Sequence, residues 1–137
     1  MRNRAAGAVD GSGPVGAPWS VRTPARPSRR PTLEIYEHGE LLDVLVASAL
    51  SGRLLRGARR QVREGRSTGL AWGRLAGDGS VPAVAFTAGR LRPRWRAAEV
   101  AVVGQEFWFA WTPDRLAGVQ LRHPDGSTER LRPTRAH

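Results

Sequence analysis

Two sets of arginines in this chain are spaced so that they could do chemistry. In the run GRLRPRWRAA, Arg90, Arg92, Arg94 and Arg96 alternate. If that piece is extended, alternate side chains share a face about 6.6 Å apart. Four guanidinium groups at that interval suit the phosphates of an extended nucleic-acid strand, and Trp95 between them turns to the opposite face, towards the core. The same four charges have a plainer use. With Pro93 removing a ladder donor, they keep an edge strand from pairing with another chain. The second set is Arg53, Arg56, Arg60 and Arg63. At about 100° per residue these share one side of a helix whose other side carries Leu54, Leu55, Ala58 and Val62.

Both sets belong to a strongly basic whole. All 22 basic side chains are arginine and face 12 acids, for a formal charge of +10 and a pI near 11.8. Such a field attracts phosphate polymers, anionic lipid surfaces or acidic proteins. Lysine is absent, and Ile, Asn, Tyr and Met occur once each, a skew that fits GC-rich coding. Arginine in place of lysine therefore needs no guanidinium-specific explanation, whereas the excess of bases over acids does.

Other chemistry finds little support. His38 and His123 fall in turn-forming stretches and His137 is the last residue. The triplet His123, Pro124 and Asp125 has the types of a base and its orienting carboxylate, but a turn there places both in solvent. No serine lies in a nucleophile elbow. Neither a GxGxxG after a strand nor a Walker-type loop occurs, and the latter is impossible without lysine. Cysteine is absent, which excludes disulfides, thiolate nucleophiles and sulfur-ligated zinc. Glu34, Glu37, Glu40 and Asp43 recur every three residues, too few oxygens for a hard cation. An acidic face pairing with nearby arginines is the expectation. No enzyme, cofactor or metal site is expected.

The elements that must position these residues begin after a leader. Residues 1–31 are rich in Gly, Pro and Arg, with six arginines against one acid, and predict a disordered basic arm. Residues 32–137 predict one domain. TLEIYEHG alternates as a short strand does. Beyond it, His38-Gly39 could turn the chain into a second strand, ELLDVLV, or residues 40–65 could be one helix, and residues 40–52 stay open between the two. From residue 53 the spacing predicts the helix. From Ser67 onward, strands alternate with turn signals as an antiparallel meander. The clearest hairpin closes on His123-Pro124-Asp125-Gly126. In EVAVVGQEFWFAW, Phe107, Phe109 and Trp111 point one way and Trp108 and Ala110 the other, which predicts a central strand covered on both faces. Trp72 and Trp95 are candidates to complete the core. The apolar run Leu41 to Leu50 is interrupted by Asp43 and is far short of the roughly 20 residues a bilayer requires. No apolar leader follows the first arginines, so a cytoplasmic protein is expected.

Residues 68–132 resemble small β-rich actinobacterial domains. The resemblance rests on Ala71-Trp72-Gly73, on the aromatic stretch from Gly104 to Trp111, and on the Asp125-Gly126 turn. It implies a style of fold and carries no catalytic residue across.

The expected architecture is α+β: a mainly antiparallel meander, as a small sandwich or half-barrel, with one helical segment and the basic arm. The expected function is a non-enzymatic adaptor that engages an acidic protein partner through Arg90, Arg92, Arg94, Arg96, Arg53, Arg56, Arg60 and Arg63. Sequence-independent binding of nucleic acid is the second reading.

Overall fold

Hairpins build the described part of this chain, and they assemble into three sheets. The structure, a computed structural model, describes residues 13–16, 18–24, 30–47, 52–88 and 94–135. The first sheet runs in chain order through β1 (Gly13–Gly16), β2 (Trp19–Arg22), β3 (Thr32–Glu37) and β4 (Glu40–Val46). The second is built on the hairpin of β5 (Leu55–Arg63) and β6 (Arg66–Arg74). The third contains β7 (Ala83–Ala88) and β8 (Arg94–Ala97). After them, β9 (Ala101–Val103) and β10 (Phe107–Thr112) return to the second sheet. Then β11 (Leu116–Arg122) and β12 (Thr128–Leu131) complete the third, and β13 (Thr134–Arg135) adds a short parallel edge beside β5. The strand orders are β1-β2-β3-β4, β13-β5-β6-β10-β9 and β12-β11-β7-β8.

The α+β expectation is overturned, because no helix occurs among the described residues and no sheet closes into a barrel. The segment expected as the helix from residue 53 onward instead contains β5, Leu55–Arg63. Two local features explain the difference. At Glu64-Gly65 the φ angles are 52° and 76°, and Arg63 lies opposite Arg66, so a two-residue loop with both residues left-handed folds β5 back on β6. His38-Gly39, at 52° and 80°, does the same between β3 and β4, which settles residues 40–46 as strand. The second feature is a bulge between Leu55 and Gly57. A bulge shifts the alternation by one residue, so Leu55 and Ala58, three apart, enter the same core. Arg56 and Arg59, also three apart, both reach carboxylates of the first sheet. A bulged strand thus imitates helical spacing on both faces.

Part of the segment expected as an arm is strand. Trp19 and Val21, inside residues 1–31, are 1% and 4% exposed, and β2 pairs with β3. Residues 1–12, 17 and 25–29 of that segment lie outside the described residues.

The second sheet is the middle layer. Its β6 and β10 send Leu70, Trp72, Phe107 and Phe109 against Trp19, Val21, Leu33 and Ile35 of the first sheet. Their alternate residues Ala71, Trp108 and Ala110 meet Val84, Phe86, Val119 and Leu121 of the third. The doubly covered central strand read from EFWFAW is therefore β10. The hairpin at Pro124-Asp125 is present as well, with Gly126 at φ 92° and Val119 opposite Leu131. No helix of the described residues is long and apolar enough to cross a membrane.

Candidate binding surface

Three carboxylates hold the layers together, and they pair with two of the four arginines expected on the helical stripe, Arg53 and Arg56, and with Arg59. Arg56 and Asp43 form a two-pronged pair, Nε to Oδ2 and Nη2 to Oδ1, each 3.0 Å. The same Oδ2 accepts the Trp72 indole N–H at 2.8 Å. Arg59 and Glu37 repeat the arrangement at 2.8 and 3.0 Å, and Glu37 also accepts the Trp19 indole at 3.0 Å. Each unit joins a carboxylate of the first sheet to a guanidinium of the second. Glu129 does the corresponding work for the third sheet. It accepts the Leu54 and Leu55 backbone N–H groups at 2.7 and 3.3 Å and the Arg53 Nε at 3.4 Å.

The electrostatics follow from these contacts. Hydrogen bonds from Arg59, working against burial and helped by Trp19, hold the Glu37 carboxyl below its ordinary range. Burial raises Asp43, but hydrogen bonds from Arg56 and Trp72 outweigh it and the net direction is down. Glu129 behaves alike, with burial outweighed by Leu54, His123, Leu55 and Arg53. The pairing of the Glu34–Asp43 acids with arginines is thus found at Glu37 and Asp43.

The helical stripe does not exist as a surface. Arg56 faces the first sheet, Arg53 lies against Glu129, and Arg60 and Arg63 fall on opposite faces by strand alternation. His123 and Asp125 do not pair with each other. His123 Nε2 lies 2.6 Å from Glu129, while Asp125 accepts from Ser127. His38 Nε2 is 2.6 Å from Gln61. No group of three or more His, Asp or Glu positioned for a metal occurs among the described residues.

The other arginine set falls on β8. Arg90 and Arg92 lie outside the described residues; Arg94 and Arg96 are exposed on the edge strand of the third sheet. Their register is the reverse of the expected one. Arg96 sits opposite Phe86, a core residue, and Trp95 opposite Thr87. Trp95 consequently turns outward and is 46% exposed, so its assignment to the core is corrected. Trp19, Trp72 and Trp108 are buried.

The outer face of the third sheet carries Trp95. Its outward positions are Ala83, Ala85 and Thr87 on β7, Trp95 and Ala97 on β8, Gly118, Gln120 and Arg122 on β11, and Thr128 and Arg130 on β12. Trp95 lies across β7 and β11. A Cβ on Gly118 would stand 2.7 Å from Thr87 Oγ1, so the bare backbone there makes room for Thr87, and 3.6 Å from Trp95 Cη2, which places the end of the indole over β11. Arg130 places its guanidinium carbon 5.7 Å from the ring centroid, and its Nε donates to Gln120 at 3.0 Å. None of Arg94, Arg96, Arg122 and Arg130 forms an ion pair among the described residues, and those outward positions include no carboxylate. Sequence reasoning missed Arg122 and Arg130. The Asp125-Gly126 hairpin could have found them, since it fixes Gln120 opposite Arg130 and Leu121 opposite Glu129.

No family model, curated protein or solved structure matches this chain.

Proposed function

We propose that this chain is a non-enzymatic binding protein whose target is nucleic acid, engaged without sequence preference through the outer face of the third sheet. One observation carries the reading: an exposed Trp95 shares a carboxylate-free face with Arg122 and Arg130, bordered by Arg94 and Arg96. Arginine forks match phosphate oxygens, and binding that displaces counterions needs no base-specific contact. An acidic protein, the partner first expected, would use the charges equally well. It gives the exposed indole no comparable role, because bases offer an aromatic face for every phosphate. The reading places the protein in the cytoplasm, where nucleic acid is at hand.

The test is fluorescence anisotropy with labelled oligonucleotides over a range of salt. With about three phosphates engaged, log K against log salt should fall with a slope near −2. Reversing Arg122 and Arg130 together to Glu should weaken binding by more than about tenfold. A flat, millimolar-weak response at low salt defeats the reading. So does preferential binding of polyglutamate, which would restore the acidic-protein partner.

A further inference from the structure

Nucleic acid presents two different surfaces, phosphate and base face, and the third sheet carries both a basic and an aromatic group. A duplex shows phosphates outside and hides its base faces in the stack. A single strand exposes both, and proteins that hold it combine a basic track with aromatic rings on which bases lie. A face that answered only to phosphate would have no use for a large apolar ring in its middle. Yet Trp95 sits between Arg94 and Arg96 in sequence and beside Arg130 in space, nearly half exposed.

The local build keeps that ring in place. Trp95 belongs to a strand paired with β7, opposite Thr87, and Thr87 is 8% exposed though it points outward. The indole covers it. On the far side the ring reaches β11, where its Cη2 lies at contact distance, 3.6 Å, from the place a Cβ on Gly118 would take. The outward neighbours along β7 and β8, Ala85 and Ala97, are small. Arg130, fixed by Gln120, stands near the limit of about 6 Å for a cation–π contact. A guanidinium plane at that distance can stack on a base itself, or turn to a phosphate while the base takes the ring.

We propose that Trp95 is a stacking platform for an unpaired base, with Arg130 and Arg122 on the outer face and Arg94 and Arg96 along the edge taking the flanking phosphates. The ligand is single-stranded DNA or RNA in preference to duplex. This deepens the reading of the preceding subsection and rests on it. Pyrimidine and purine bind alike, because every base has a π-face and no base edge is read.

The experiment compares a 15-nucleotide oligothymidine with a 15-base-pair mixed duplex, each titrated with the wild-type protein, W95A and W95F. Circular dichroism and the urea midpoint confirm that the variants fold. The single strand is expected to bind at least about tenfold tighter than the duplex. W95A should lose about tenfold on the single strand alone, and W95F should keep most of the affinity. The salt slope should be the same for W95A and wild type, because the phosphate contacts remain; an electrostatic accident of the substitution would change it. Equal affinity for strand and duplex, with W95A silent, overturns the platform and leaves polyanion binding standing. Failure to bind either nucleic acid overturns both readings.

Discussion

Arginine and tryptophan meet in two regions of this molecule, with opposite results. Between the first and second sheets, Arg56 and Trp72 share Asp43, and Arg59 and Trp19 share Glu37. On the outer face of the third sheet Arg130 meets Trp95 with no carboxylate between them. Where the acid is present, it satisfies the indole N–H and the guanidinium at once, and the ring can be buried at 1–4% exposure. Without an acid, the ring stays at the surface and the charge stays available. A basic protein with few acids can thus divide its arginines by how it distributes its carboxylates, since each acid spent inside fixes layers and each one withheld leaves a binding charge.

The comparison breaks most visibly at the tryptophans. Trp72→Ala removes a ring from the core between the first two sheets and one of the two hydrogen bonds to Asp43 Oδ2, so unfolding should become easier by about 3–5 kcal/mol. Trp95→Ala should cost below about 1 kcal/mol, as surface changes do. Urea midpoints of the two variants decide it. Comparable losses would mean that Trp95 is a structural residue and that the two regions do not differ in kind.

Acid sharpens the contrast next. Glu37, Asp43 and Glu129 have folded pKa values lowered from their ordinary ones. For a depressed carboxyl, the stabilisation is complete above the unfolded value and is lost as pH falls through the folded one. With unfolded values of about 3.9 and 4.3, the urea midpoint should hold from pH 7 to about 5 and fall below about 4. Asp43→Asn, which weakens one clasp but keeps its shape, should cost about 1–2 kcal/mol at pH 7 and make the acid limb shallower. A limb unchanged by Asp43→Asn would show that the clasp does not carry the pH dependence.

How much of this was legible depends on whether a local rule or a distant partner set the outcome. The His123–Gly126 hairpin and the two faces of β10 were readable, since turn chemistry and alternation act within a few residues. Leu54, Leu55, Ala58 and Val62 misled because the bulge at Leu55–Gly57 gives a strand helical spacing, although Gly57 itself is the kind of residue that marks a bulge or a close approach within a strand. The Glu64-Gly65 turn was the overlooked clue. Trp95 was misplaced for a related reason. Alternation correctly separates it from Arg94 and Arg96, but which face is inward depends on the register of β8 against β7. Of the eight arginines expected to bind, Arg94 and Arg96 border the proposed surface on the edge strand, Arg56 is taken up by Asp43, Arg53 lies on Glu129, Arg60 and Arg63 fall on opposite faces of β5, and Arg90 and Arg92 fall outside the described residues. Ion pairs between layers join residues such as Glu37 and Arg59, 22 positions apart, a distance no periodicity reports.

The smallest effect on stability is the one that tests the division of labour most closely. Arg130→Gln removes the guanidinium over Trp95 and its hydrogen bond to Gln120, both at the surface. An exposed cation–π contact is worth about 0.5 kcal/mol, so the urea midpoint should scarcely move. The substitution also removes one charge from a face that has no acid to balance, and that is a binding effect. Oligonucleotide affinity at low salt should fall several-fold, and the salt slope should become shallower by about 0.7, the increment for one phosphate on a single strand. In Arg59→Gln the order should invert: Glu37 loses its partner between two sheets, stability drops, and the slope stays put. A slope that changed equally in both would mean that clasp and surface arginines serve the ligand alike, and the division by carboxylates would not stand.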